Sequence, residues 1–98
     1  MGNMFLFHSD AGHGWLEVGL SDIQNLGLAG QISSYSKTLN QRVFLEEDLD
    51  APLFLDAYEK KFNTKPDIVG VKPMETSFVR SLEPYVKEIY DNDKTANV

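Results

Sequence analysis

The sequence predicts an α+β fold, a small antiparallel sheet of about four strands packed against two helices. Three observations carry that prediction. Two short runs near the N-terminus, 4–8 and 15–20, are strand-like and flank a turn rich in glycine. A third run, Val43-Phe44-Leu45, suits a buried strand. From Leu53 to Phe62 the apolar residues fall at helical spacing instead.

The first run, Met4 to His8, places Phe5 and Phe7 on one face and Met4, Leu6 and His8 on the other. With both faces largely apolar, it belongs inside the sheet. Ser9 to Gly14 form the turn, and Trp15 to Leu20 return with Leu16, Val18 and Leu20 inward and Glu17 outward. The two strands make a hairpin over a loop of about six residues. Ser21-Asp22-Ile23-Gln24 has the form of a capping box. The helix it opens is short, because Gly27 is a natural left-handed stop, and it sends Ile23 and Leu26 to the core. Gly30 to Ser36 and Arg42 to Glu47 are expected to form a second hairpin, joined through 37–41.

Asp50-Ala51-Pro52 opens the long helix, with Asp50 as the cap and Pro52 in the first turn, where it has no bond to break. Leu53, Phe54, Ala57, Tyr58 and Phe62 line its apolar face, and Phe54 and Phe62 are expected in the core. Asn63 to Pro66 end it, and Asp67 to Val71 are extended. Pro84 in mid-helix would cost about 3 kcal/mol. A final helix from Leu82 to about Tyr90, capped by Ser81, is therefore preferred over one starting near Thr76. Residues 91–98 form a polar tail expected to fray.

Ninety-eight residues suffice for one domain over 1–98 and are too few for two. A domain this small gains stability from association, which is compatible with a homo-oligomer. Without cysteine there is no disulfide framework, thiol nucleophile or thiolate zinc site. No apolar run approaches a membrane span. The first residues lack the basic region and cleavage site of a signal peptide. Leu6 stands where a myristoylation signal needs Ser or Thr, so Gly2 is not read as one. Fifteen acids against nine bases give a net charge of −6, which disfavours direct nucleic-acid binding and favours a protein partner with a basic surface.

The most site-like stretch is His8-Ser9-Asp10-Ala11-Gly12-His13-Gly14-Trp15, which holds both histidines and the only tryptophan. His8, Asp10 and His13 have the ligand chemistry for a divalent metal with water completing the shell, although their spacing matches no standard zinc motif. A His beside an Asp is also the minimal general-base pair. In the structural alternative, Asp10 and His13 bond backbone groups of the turn, with Asp10 as an Asx-turn, and His8 is an ordinary strand residue. No nucleophile elbow, phosphate loop or dinucleotide fingerprint is present.

The acidic run Glu46-Glu47-Asp48-Leu49-Asp50 suits the positive end of the following helix. It lacks the pattern of an EF-hand, and its functional alternative is a docking surface for lysine and arginine. Trp15, Tyr35 and Tyr58 suit core positions, and the alternative for Trp15, beside the glycine turn, is an interface anchor, a role in which Trp and Tyr are enriched. The expected binding residues are therefore His8, Asp10, His13, Trp15, Tyr35, Glu46, Glu47 and Asp48, with no cofactor and no resident metal.

Taken together, Phe7-His8-x-Asp10-x-Gly12-His13-Gly14-Trp15-Leu16, Ile32-Ser33-x-Tyr35-Ser36, Phe44-Leu45-Glu46-Glu47-Asp48-x-Asp50-Ala51 and Glu75-Thr76-x-Phe78-Val79-Arg80 form a compound pattern over roughly residues 5 to 80. It resembles a family of small proteins encoded by bacteria, mobile elements and phages. The resemblance carries no activity, cofactor or catalytic residue, and implies action in the bacterial cytoplasm. Lys37 stands where that pattern often has an aromatic, and Leu49 where it often has Cys, which weakens a thiol-based mechanism. The expected function is a non-enzymatic interaction protein that modulates a host protein, such as one of its nucleic-acid-handling machines. The alternative is a small metal-dependent or acid–base hydrolase centred on His8, Asp10 and His13.

Overall fold

A computed structural model describes residues 4–90. Strand β1 (Met4–Ser9) and strand β2 (Gly14–Gly19) form the expected antiparallel hairpin, with His8 opposite Trp15. Helix α1 (Leu20–Asn25) follows at once. Its cap is Gly19 rather than Ser21, because the Asp22 carboxylate reaches back to accept the Gly19 N–H at 2.9 Å. It ends as expected: Gly27 adopts φ +72, and the Gly27 and Leu28 amides donate to Gln24 and Ile23 in a Schellman closure.

The second hairpin is shorter and later than the sequence suggested. Strand β3 is Lys37–Leu39 and strand β4 is Arg42–Glu46, joined by Asn40 and Gln41 with Asn40 left-handed at φ 56. Residues 30–36 are not a strand because Asp50 claims their polar groups. Its carboxylate accepts from the Ser33 amide, the Ser33 hydroxyl and the Ser36 hydroxyl. Asp50 is thus an anchor for that loop and not the helix cap. The turn before the helix is held by Glu46, whose Oε1 accepts the Asp48 and Leu49 amides at 3.0 and 2.9 Å.

Helix α2 (Asp50–Phe62) is the long helix the periodicity predicts, and Asn63 closes it at φ 57. Phe54 and Tyr58 meet the ring of Phe5 edge-on at 5.4 and 5.9 Å, on the sheet face that also buries Leu16, Val18, Val43 and Leu45. Phe62 departs from expectation. It is 48% exposed at the end of the helix, its ring tilted against that of Tyr58 at 4.7 Å. Strand β5 (Asp67–Gly70) then pairs parallel to β1.

Residues 71–82 run as a strap over the opposite sheet face. Val71 and Met74 donate amides to Phe7 and Ser9, and Phe78 lies edge-on to His8 and Phe44. A 3-10 turn (Phe78–Ser81), capped by the Ser77 hydroxyl, buries Val79 against Trp15 and Phe44. The chain next adds strand β6 (Glu83–Pro84) beside β3, then helix α3 (Lys87–Tyr90). The single helix expected from Leu82 is replaced by these pieces, because Leu82 and Pro84 stay extended and Glu83 pairs with Thr38. The tail 91–98 lies outside the described residues.

The sheet order is β5-β1-β2-β4-β3-β6, six strands and mixed, larger than the four antiparallel strands expected. Among the described residues three helices accompany it, of which only α2 is long. The extra strands are the two edges, four and two residues long, too short to show a period. No helix among the described residues is long and apolar enough to cross a membrane.

The Asp50 anchor yields a first prediction. Its residue is 3% exposed, and replacing it with Ala strands the buried Ser36 hydroxyl and the Ser33 amide. Urea unfolding should show a loss of about 2–4 kcal/mol at unchanged slope. A loss below about 1 kcal/mol would mean the loop holds without it.

Candidate functional site

The β1–β2 turn is organised by one carboxylate. Asp10 Oδ1 accepts the Gly12 and His13 amides, each at 3.0 Å, as the Asx-turn reading requires. The same carboxylate takes a bidentate grip on Arg80, with Nη2 to Oδ1 at 2.8 Å and Nε to Oδ2 at 2.5 Å. Oδ2 also accepts the Ser77 amide at 2.9 Å. Five N–H groups thus converge on a side chain only 1% exposed, pinning the strap to a turn nearly seventy residues away in sequence. The Arg80 guanidinium, then the Ser77 amide, hold the Asp10 carboxyl far below the usual carboxylate range against a smaller opposing effect of burial. The hydrogen bond to Asp10 raises Arg80 in turn. Glycine serves the turn: a Cβ on Gly12 would stand 2.7 Å from Arg80 Nη2 in the clamp, and one on Gly14 only 2.3 Å from the ring of Phe7 in β1.

His8 belongs to a different cluster. Its Nε2 lies 2.7 Å from Glu17 Oε1, and its ring is enclosed by Phe44 and Phe78. Arg42 Nε donates to the other Glu17 oxygen at 2.8 Å. Burial is the largest single influence on Glu17 and pushes it up, but the hydrogen bonds from His8 and Arg42 together bring it below its ordinary value. His8, Asp10 and His13 therefore serve separate partners: Glu17, Arg80 and the rim of a cleft. No group of three or more His, Asp or Glu side chains among the described residues is placed to hold a metal ion.

What the fold does assemble is an open cleft of about 550 Å³ on the strap side of the sheet. The β1–β2 turn contributes His13 and β2 contributes Trp15, which lies at its base under Arg80, 5.7 Å from ring to guanidinium. The loop held by Asp50 contributes Ser34 and Tyr35, the latter 68% exposed. Lys37 comes from β3, Glu46 from β4, and Asp48 and Leu49 from the turn that Glu46 caps. Five of the eight residues singled out by sequence meet here: His13, Trp15, Tyr35, Glu46 and Asp48. His8 is under the strap, and Asp10 stands behind the wall as the support of Arg80. Glu47 faces the helix side beside Phe7 and Ala51.

The acidic run is consequently divided rather than gathered on one surface. Glu46 and Asp48 face the cleft, Glu47 the opposite side, and Asp50 the interior. Lys37 and Arg80 were missed as cleft residues. A lone arginine after Phe78-Val79 was the available signal for Arg80, but its partner lies too far along the chain to be read. Glu17, the outward residue of an apolar strand, gave the corresponding hint for His8.

Asp10 has a lower pKa folded than unfolded, so its stabilisation is complete above the ordinary carboxylate range, about 3.9, and is lost as pH falls toward the folded value. Carboxyl NMR should accordingly show Asp10 still ionised at that pH, and Arg80→Ala should raise its protonation midpoint. An Asp10 that titrates like a free aspartate in the unmodified protein would refute the clamp. No protein-family model, curated protein or solved structure matches this chain.

Proposed function

We propose that the protein is a non-enzymatic recognition module that binds a basic segment of a protein partner in the cleft between Tyr35 and the Glu46–Asp48 wall. The observation that carries this reading is the pairing of unspent groups with apolar ones. Asp48 has no side-chain bond among the described residues, and Glu46 Oε2 has none beside the turn-capping Oε1. They adjoin an exposed tyrosine, Leu49 and the edge of Trp15. An arginine or lysine places its charge at such carboxylates and its stem along such rings. The polar groups suited to acid–base chemistry, His8 and Asp10, are already engaged within the fold.

Electrostatics add direction. Asp10, Glu46 and Asp48 set three negative charges against Lys37 and Arg80, a local balance of −1 in a chain of net charge −6. Arg80 is neutralised by Asp10, so Lys37 is the cation that limits how a basic segment can lie. A partner of the bacterial host, encountered by a phage-encoded protein in the cytoplasm, is the setting the family resemblance supports.

Amide chemical-shift mapping with a short arginine-rich peptide tests this. Shifts should concentrate at His13, Tyr35, Lys37 and Asp48, weaken with salt, and be absent with a glutamate-rich control. Asp48→Lys, at an exposed position, should weaken binding about tenfold, equivalent to ~1.4 kcal/mol. Shifts spread over the surface, or unchanged by that substitution, would overturn the reading.

A further inference from the structure

We infer that a second copy of this chain pairs with the open edge of β5, closing a two-fold dimer in which the two sheets become continuous. In the parallel ladder the Phe7 backbone faces β5, its carbonyl taking the Val71 amide at 2.8 Å. In a parallel strand one residue sends both its backbone groups to the same side, and its neighbours send theirs to the other. Val69 and Val71 therefore bond β1, while the N–H and C=O of Ile68 and Gly70 point away from the sheet. Nothing among the described residues receives them.

Sheet edges in monomers are normally blunted. The far edge obeys that rule, since β6 is two residues long and Pro84 has no N–H. β5 is protected less: its one charge is Asp67 at the start, it contains no proline or lysine, its four residues are all exposed, and a Cβ on Gly70 would meet nothing within 4 Å. Because β6 is closed to pairing, two copies cannot join head to tail through the sheet. β5 against β5 remains, and that contact is isologous and self-limiting.

The side chains choose the register. Hydrogen-bonded antiparallel pairs join outward-facing residues, so Ile68 pairs with Gly70 of the second copy and Gly70 with its Ile68. That register stacks Val69, 43% exposed, on Val69 of the second copy at the two-fold axis. Met4 and Leu6, on the same face in β1, extend the apolar stripe on either side. Pro66 and Pro73 bracket the segment and confine pairing to it. The contact is small against a standard interface, so association is expected toward high protein concentration.

Sedimentation of the full chain from micromolar to millimolar concentration tests the inference. The mass should rise from 11.1 kDa toward twice that value. Hydrogen exchange at Ile68 and Gly70 amides should slow in step, while Val69 and Val71 stay equally protected throughout. Val69→Lys and Val69→Asp should each remain monomeric with wild-type thermal unfolding, and their equimolar mixture should dimerise, because only opposite charges then meet at the axis. A constant monomer mass overturns the proposal. So does a dimer that leaves the Ile68 and Gly70 amides unprotected, or one that Val69→Lys leaves intact.

Discussion

The grip of Asp10 on Arg80 and Ser77 is the constraint on which the strap side of this molecule rests. A small sheet with helices on only one face leaves its other face exposed, and here that face carries Trp15 and Phe44, large rings that water would solvate poorly. The chain covers them with twelve residues that contain only one turn of 3-10 helix. Such a segment has little internal hydrogen bonding to hold its shape. A nearly inaccessible carboxylate receiving five N–H groups supplies the missing order, and it does so at the turn that also shapes one side of the cleft.

Asp50 plays the matching role in the loop before β3. Its three serine-derived donors fix residues 33–36 in a non-strand conformation, and Tyr35 is left projecting into solvent at the cleft mouth. Glu46 settles the third side through the turn amides of Asp48 and Leu49. Three carboxylates thus act as internal fasteners, and the walls they position carry the groups that remain available. The acidity of the chain is partly architectural. Only the carboxylates left over from that task can serve recognition.

Local physics was legible in the sequence where it depended on neighbours along the chain. The β1–β2 hairpin, the left-handed stop at Gly27, and α2 with its end near Asn63 all follow from alternation, glycine placement and helical spacing. Failures occurred where a distant residue decided the outcome. Asp50 looked like a cap from its position before Pro52, yet its partners lie fourteen and seventeen residues upstream. The predicted final helix gave way because Glu83 found a strand partner in Thr38. Of the candidate site, His13, Trp15, Tyr35, Glu46 and Asp48 were legible as residue types. Their convergence was not, and Arg80, which completes the wall, became meaningful only once Asp10 was seen to hold it.

The central claim is that Asp10 keeps the strap closed over the second sheet face and so shapes the cleft. Trp15 reports on this directly, being the only tryptophan and buried beneath the Arg80 guanidinium. Acrylamide quenching of its fluorescence should be weak in the unmodified protein. It should become markedly stronger in Asp10→Asn, while far-UV circular dichroism shows the sheet and α2 retained. Equal quenching of the two proteins would contradict the account, for the strap would then be held by its apolar contacts alone.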